Sequence, residues 1–587
     1  MKNQQHAQID RSQISTLHDL FKARVDSTPF NTAYTTYDPS TNTRINHQWI
    51  EIYRQFVIYR NALAAEQLSS GDRILITLPH GIHWVALEQA ALYLGLVVVA
   101  LPSSDSAANI GHAITHIEPS LVFVESDSLL AAIKFHIQSQ PNQPKIVAEK
   151  LVSKPPKAIY LKQWAKNGAS QTHSIEQMRN PKTAAAIFFT SGTTARPKGV
   201  IHSHESILNN IFACSRRVDL SNEDSLLSVT PISHIMERVA GYYVPMVSGS
   251  IVSFSQSEGM VLDDLAETGA TILVTTPYLL ECAFQTLMVK HPRLKGLLEK
   301  KLLSEKESSK KLTISNLLWK ITQKKLTKSL NGLFLSKLKQ IYVGGSALSN
   351  QIQSISRLLD IPISQGYGLT EAGGVVSIGQ INKDGVGTPL DNMTLTTNEN
   401  DELIIRTDSM MTGYWNDTNL TESKLINDEL HTGDIVTLDH DVLHIKSRKS
   451  QKIQLSNGKH ILPNPIENQI VKDSLFNNVF LYGDNHEKLT LICQLSEQHW
   501  KSFLSKTIGK KNESSEINKT ILSIRVNTLI KSLPDQNRID FIVPTFEAWT
   551  HENGLLNAQG SINRKNIEHR YAEELNSIYN DIYVKTH

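Results

Sequence analysis

The sequence predicts an α/β protein with a large N-terminal region and a small C-terminal region of different texture. Three observations lead there. Short β-branched runs alternate with helical stretches through the first part of the chain, the pattern of parallel strand–helix–strand units. From about residue 390 the pattern becomes short alternating segments, as in antiparallel hairpins. The chain has 587 residues, several times a typical domain, so at least two folding units are expected.

The elements follow in order. Residues 46–65 carry Trp49, Ile50, Tyr53, Phe56, Val57, Arg60, Leu63 and Ala64 at helical spacing, one apolar stripe on an amphipathic helix. Gly71-Asp72 marks a turn, and Ile74–Leu78 reads as a strand. Trp84–Leu94 reads as a helix, then Val97–Leu101 and Ser120–Glu125 as strands. The series resumes with Ile187–Phe189, Ser250–Ser255, Thr271–Thr275 and Gln340–Val343. Glu402–Arg406, Ile435–Leu438 and Val442–Lys446 are the alternating segments of the hairpin region. A hinge is expected near residues 447–452, which divides the chain into 1–447 and 448–587. The second part has its own strands, Asn478–Tyr482 and Leu489–Leu495.

Composition narrows the function classes. Hydrophobic content of 40% and a net charge of +2 are those of an ordinary soluble protein, with no global field for nucleic acid. Cys214, Cys282 and Cys493 stand far apart, so neither a disulfide framework nor a zinc site is expected. Such cysteine usage fits a reducing cytoplasm. The segment MKNQQHAQIDRSQ has no apolar core of the secretory kind, and no run reaches the ~20 apolar residues of a membrane span. The block Ala90–Leu101 is interrupted by Tyr93 and Gly95 and reads as a helix end followed by a strand. Residues 290–339 hold 14 Lys/Arg against three acidic residues, with Leu317, Leu318, Trp319 and Ile321 interleaved. A solvated helical insertion is the plainer reading; a peripheral surface against anionic lipid is the alternative. Oligomeric state is not legible.

The run with most chemical content is TSGTTARPKG, residues 190–199. Thr190, Ser191, Thr193 and Thr194 surround Gly192, and Lys198 precedes Gly199. Backbone N–H groups, small hydroxyls and one ammonium suit polyphosphate oxygens. The apolar stretch Ala184–Phe189 before it reads as a buried strand. The run is not a GxxxxGK[ST] loop, because Lys198 is followed by glycine and not by a hydroxyl residue.

Further motifs lie downstream. In QGYGLTE, Gln365–Glu371, Gly366 and Gly368 permit close backbone approach, Tyr367 offers a flat face for a base, and Thr370 a hydroxyl. Glu371 supplies a carboxylate suited to a hard ion such as Mg²⁺. Taken alone, this string reads equally as a turn capping a helix. HTGD, His431–Asp434, places a carboxylate suited to bidentate bonding with ribose hydroxyls. KSRKSQKI, Lys446–Ile453, falls at the expected hinge, and VGGSAL, Val343–Leu348, is glycine-rich.

Together these segments resemble the adenylate-forming superfamily: acyl-CoA synthetases, luciferases and peptide-synthetase adenylation domains. The phosphate loop there is close to TSGTTGxPKG, and Ala195 stands at its second glycine. The resemblance runs from about residue 15 to 585. TPISHIMERVAGYYVPMVSG, with His234, Glu237 and Arg238, resembles the HxxER segment of long-chain acyl-CoA synthetases, and GKHILPNPIE resembles their GKNIxPxPIE.

The resemblance implies a large adenylate-forming domain of βαβ sheets with a small β-barrel-like subdomain, and a small mobile α+β lid. It implies ATP, Mg²⁺, a fatty acid and coenzyme A as ligands, with no nucleic-acid partner. Ser191, Gly192, Thr193, Thr194 and Lys198 would contact phosphates, with Thr190 and Glu371 at Mg²⁺ and Thr370 at the α-phosphate. Gly345, Ser346, Gln365, Gly366, Tyr367 and Gly368 would line the adenine. Asp434 would hold the ribose, Arg448 the nucleotide, Gly458 the pantetheine tunnel, and His234 the acyl substrate. Such enzymes join a carboxylate to AMP, then pass the acyl group to a thiol after the lid turns.

One position departs from the pattern. The lid of such enzymes ends in a motif like GKIxR, whose lysine bridges the substrate carboxylate and α-phosphate. Here LLNAQGSINRKNI, Leu555–Ile567, puts Ser561 at that lysine. Three outcomes are open: Lys565 or Arg564 substitutes, adenylation is slow or bypassed by preformed acyl-AMP, or the chain binds nucleotide or acyl ligand without turnover. An acyl-carrier-protein thiol as acceptor is a further alternative. Ser450 also stands where the hinge of the family usually has Asp or Lys.

Overall fold

A computed structural model describes residues 8–586 apart from 139–142, 153–157, 170–176, 191–196, 293–295, 299–336, 347, 381–384, 458, 508–514, 532, 534–537, 551–552 and 558–559. The fold is mixed α/β, and the chain forms two compact units. The first comprises residues 1–345, 355–395 and 404–431; the second comprises 346–354, 396–403 and 432–587.

Two large sheets dominate the first unit. The eight-stranded sheet runs in the order Gly413–Tyr414, Lys198–Ser203, Ala184–Thr190, Val97–Ala100, Arg73–Thr77, Leu121–Ser126, Lys145–Lys150, Ile159–Tyr160. Its central strands pair in parallel. Val97–Ala100 is buried at every position, as is Leu121–Val124, because a parallel strand covered on both faces needs no polar side. The pair Ala184–Thr190 and Lys198–Ser203 is antiparallel.

The nine-stranded sheet runs in the order Thr388–Pro389, Gly374–Gln380, Ile363–Leu369, Gln340–Val343, Ile272–Thr275, Ser225–Ser228, Ile251–Phe254, Thr32–Asp38, Thr43–Gln48. Its middle is parallel, with Ser225–Ser228 flanked by the two strands that follow it in sequence. That is a switch point, where the crevice beyond the strand ends is the usual ligand position. The strand Thr32–Asp38 and its antiparallel partner Thr43–Gln48 carry no clear periodicity, and the sequence pattern missed them.

The first expected helix forms over Trp49–Ala65. Its buried stripe is Trp49, Ile52, Phe56, Tyr59, Ala62 and Leu63, with Tyr53, Val57 and Arg60 only half-buried. The stripe is turned because Tyr59 packs on Trp164 and hydrogen-bonds His83, which ranks it above Val57 as a core residue. The expected strands at 74–78, 97–101, 120–125, 250–255, 271–275 and 340–343 all form, within one or two residues.

The second unit has a three-stranded sheet, Phe476–Tyr482, Thr490–Leu495 and Phe541–Thr545, with helices at Pro463–Ile470, Glu497–Thr507, Ser515–Leu529, Arg564–Arg570 and Ala572–Thr586. One face of that sheet packs with Ile466, Ile470, Leu522 and Val526. Phe480 and Ile492 pack with Trp549, Ile567 and Tyr571. No described helix is long and apolar enough to cross a membrane.

Candidate active site

The site is assembled on the antiparallel pair that carries the threonine–lysine run. Thr190 ends one strand and Lys198 begins the next, and the two are cross-strand partners. The run thus joins two antiparallel strands, whereas a P-loop leads from a strand into a helix. Ser191, Gly192, Thr193 and Thr194 lie outside the described residues, as do Gly458 and most of the basic segment 290–339. Gly199 must be glycine: a Cβ there would lie 2.9 Å from Ile187 Cγ2 and 3.3 Å from Trp415 Cβ.

QGYGLTE does not cap a helix. Ile363–Leu369 is a strand that turns at Thr370–Ala372 and returns antiparallel as Gly374–Gln380. The turn is tight enough that a Cβ on Gly368 would come 1.9 Å from the Gly374 carbonyl oxygen. Gly373 has φ of 85°, the left-handed region that favours glycine. Gln365 is buried opposite Val343, and Tyr367 is half-buried.

Two residues not anticipated from sequence bring these segments together. His202 is fully buried on the Lys198–Ser203 strand, and its Nε2 lies 2.7 Å from the Thr370 carbonyl oxygen. Burial pushes its pKa down to about 4, so the ring is neutral. A carbonyl only accepts, so Nε2 carries the proton; Nδ1 is then the acceptor for the Ser206 hydroxyl, 3.1 Å away. Tyr414 sits on the edge strand Gly413–Tyr414, paired to Val200. Its hydroxyl donates to Glu371 Oε1 at 2.7 Å, and the Lys198 ammonium lies 5.9 Å from its ring centre. Burial and the Glu371 charge push the phenol pKa up, so it remains a donor. Lys198, Tyr414, Glu371 and Thr370 thus converge. Alternation along KGVIHSH was the one signal for His202; nothing local marks Tyr414.

Gly344 and Gly345 follow the strand Gln340–Val343. A Cβ on Gly344 would lie 2.4 Å from Met236 Sδ, and Gly345 has φ of 97°. Ser346 falls in the second unit. Beside Gly344 and Gly366 opens an apolar cavity walled by Leu226, Val274, Tyr342, Cys214, Met236 and Ala240. It is walled by the strands Ser225–Ser228, Ile272–Thr275 and Gln340–Val343 near the switch point of the nine-stranded sheet.

The HxxER residues separate. His234 borders Ile232, whose N–H donates to His80, and burial lowers the pKa of both histidines. Arg238 is fully buried, forms an ion pair with Glu88 at 2.6 Å, and stacks 4.5 Å from the Trp84 ring. Glu237 accepts from the Ser228 hydroxyl at 2.6 Å, and burial raises its pKa to about 8. Glu237 and Arg238 therefore act as core residues of a π-helical turn, Glu237–Tyr243.

In the second unit Asp434 is buried, and Arg448 Nε donates to its Oδ1 at 3.0 Å across the hairpin of Glu429–Asp439 with Val442–Arg448. Ser561 lies in a small turn closed on Asn557: Asn557 N–H donates to the Ser561 carbonyl at 2.8 Å, and Ser561 N–H to Asn557 Oδ1 at 2.9 Å. Arg564 pairs with Glu467 and donates to Asn464 Oδ1 at 3.2 Å. Its guanidinium is committed to that pair, and Lys565 sits exposed on the first turn of helix Arg564–Arg570.

No group of three or more His, Cys, Asp or Glu that could hold a metal ion occurs among the described residues. Mg²⁺ is nonetheless compatible, since it needs only one or two protein carboxylates when phosphates supply other oxygens. Glu371 would supply the carboxylate, with Thr190 as the expected hydroxyl partner.

Residues 21–415 match the AMP-binding enzyme family, and residues 450–582 match the AMP-binding enzyme C-terminal domain. The chain belongs to the AMP-binding enzymes, the adenylate-forming superfamily. It is 25% identical to the peroxisomal long chain acyl-CoA synthetase 7 of Arabidopsis thaliana, over 98% of this chain and 87% of that one. It is 24% identical to a long-chain-fatty-acid–CoA ligase of Mycobacterium bovis, over 87% of this chain and 89% of that one. The adenylation domain of a carboxylate reductase from Mycobacterium chelonae has the same fold, with a TM-score of 0.73 at 17% identity over 96% of this chain and 91% of that one. The relatives support an adenylate-forming ligase that activates acyl groups.

Proposed function

We propose that the protein activates a long-chain fatty acid with ATP and passes the acyl group to coenzyme A. The observation that carries this reading is the convergence of Lys198, Tyr414, Glu371 and Thr370 at the end of the strand Ile363–Leu369, whose Gly366 lines an apolar cavity. The fatty carboxylate would meet the α-phosphate at the rim of that cavity, with its tail among Leu226, Val274 and Met236. Attack forms the acyl–phosphate bond and breaks the α–β bond, releasing pyrophosphate. Lys198 and Thr370 stabilise the charge that develops on phosphate oxygens. Mg²⁺, held by Glu371 with Thr190, supplies further charge neutralisation when bound. Gly345, Ser346, Gln365, Gly366, Tyr367 and Gly368 line the adenine, Asp434 the ribose, and Arg448 orients the nucleotide after releasing Asp434. By the family pattern, Ser191, Gly192, Thr193 and Thr194 are assigned to the phosphates and Gly458 to pantetheine. His234 flanks the acyl group. The lid comprises residues 448–587 and pivots at Ser450, and the thiol then attacks the acyl carbonyl and expels AMP.

Ser561 sets the rate of the first step. Arg564 is paired with Glu467, which argues against its substituting for the family lysine. Pyrophosphate release with ATP, Mg²⁺ and a palmitate-to-acetate series, by wild type and by Ser561→Lys, tests the reading. Release by wild type that rises with chain length supports it. Release by the variant alone identifies a disarmed adenylation site that takes preformed acyl-AMP. Silence in both overturns the ligase reading.

A further inference from the structure

We infer that Tyr414 is a positioning residue that keeps Lys198 and Glu371 apart and turned toward the phosphates. This rests on the roles given to those two residues above.

Gly413–Tyr414 is an edge strand of two residues, too short to matter for sheet stability, yet it is tied on every side. Thr412 N–H donates to the Ile201 carbonyl at 2.9 Å and Trp415 N–H to the Gly199 carbonyl at 2.8 Å. Tyr414 N–H donates to the Thr421 hydroxyl at 2.9 Å, and the Trp415 indole donates to the His116 carbonyl at 3.1 Å. Gly413, with φ of 155°, is pressed against Thr421, where a Cβ would lie 3.0 Å from Cγ2. These bonds place one side chain, the phenol of Tyr414.

That phenol has two faces of use. Its hydroxyl takes Oε1 of Glu371, which fixes the carboxylate rotamer. Its ring offers the Lys198 ammonium an electron-rich surface. Lys198 and Glu371 carry opposite charges and both meet Tyr414, and no ion pair joins the two among the described residues. A tyrosine supplies each charge with a weaker neutral partner. Both therefore stay available for a ligand that brings its own charges. With the hydroxyl gone, the carboxylate loses that donor, and Lys198, 5.9 Å from the same ring centre, is a cation that could take its place.

The test is calorimetric titration of full-length protein with ATP, with and without Mg²⁺, for wild type, Tyr414→Phe, Glu371→Gln and the double variant. Thermal unfolding confirms that each is folded. The inference expects Tyr414→Phe to lose about tenfold of the Mg²⁺-dependent gain in ATP affinity. It expects no further loss from Tyr414→Phe in the Glu371→Gln background. Tyr414→Leu, which also removes the ring, should weaken ATP binding without Mg²⁺ as well. An unchanged Mg²⁺ response in Tyr414→Phe, or a full additional loss in the double variant, overturns the inference and leaves the ligase reading standing. Absence of ATP binding by the wild type overturns both.

Discussion

At the scale of single residues, the interior of the first unit holds ionisable groups that the ligand chemistry does not use. Arg238 and Glu88 are both fully buried, so each depends on the other to offset its desolvation. Arg238→Met should lower unfolding free energy by about 3–5 kcal/mol in denaturant titration, and adding Glu88→Gln should restore part of that loss. Glu237 gives a pH signature. Its carboxyl stays protonated in the fold up to about pH 8, while in the unfolded chain it ionises near its ordinary value of 4.5. Across that window the unfolded chain binds fewer protons, so this group makes stability fall as pH rises. Glu237→Gln should flatten the fall in melting temperature between pH 5 and about 8. A variant with the wild-type slope would show that the carboxyl is not held neutral.

Among the elements, the turn after Ile363–Leu369 has the least room for change. Gly368 lies so close to Gly374 that any side chain must move backbone. Gly368→Ala should lower stability by about 2 kcal/mol or more and weaken ATP binding at least about tenfold, read by melting and calorimetry. His202 ties this turn to the neighbouring sheet through the Thr370 carbonyl. His202→Ala should remove one of the two hydrogen bonds to that carbonyl, which keeps the Gly373 N–H at 3.1 Å, at a cost of about 1 kcal/mol, checked by denaturant unfolding. The strands of the two large sheets were legible because buried parallel strands are continuous β-branched runs, as in Val97–Ala100. The hairpin Thr32–Gln48 was not, because its second strand is almost wholly solvent-facing and shows no apolar alternation.

For the whole molecule, the open question is how much the missing lysine limits turnover. The hydrogen bonds that join Ser561 to Asn557 use only the backbone of Ser561, so a lysine side chain would leave them intact. Ser561→Lys should therefore fold normally and raise fatty-acid-dependent pyrophosphate release about a hundredfold. Thioester formation from supplied acyl-AMP should change by less than about twofold, because the lysine's charge serves only the first step. Equal gains in both steps would mean that Ser561 acts through general stability.

The sequence by itself determined the α/β class, the motif order and the departure at Ser561. Each of these is carried by local residue type: β-branched runs, glycines at close approaches, hydroxyl and lysine in one loop. Only the tertiary structure decided that Lys198, Glu371 and Thr370 meet, since Tyr414 and His202 join segments more than 150 residues apart through sheet pairing. It also decided that Glu237 and Arg238 serve the core, that Asp434 pairs with Arg448, and that Arg564 is spent on Glu467. Those partners are set by packing across the fold, and a charge in a sequence does not reveal which opposite charge will share its burial.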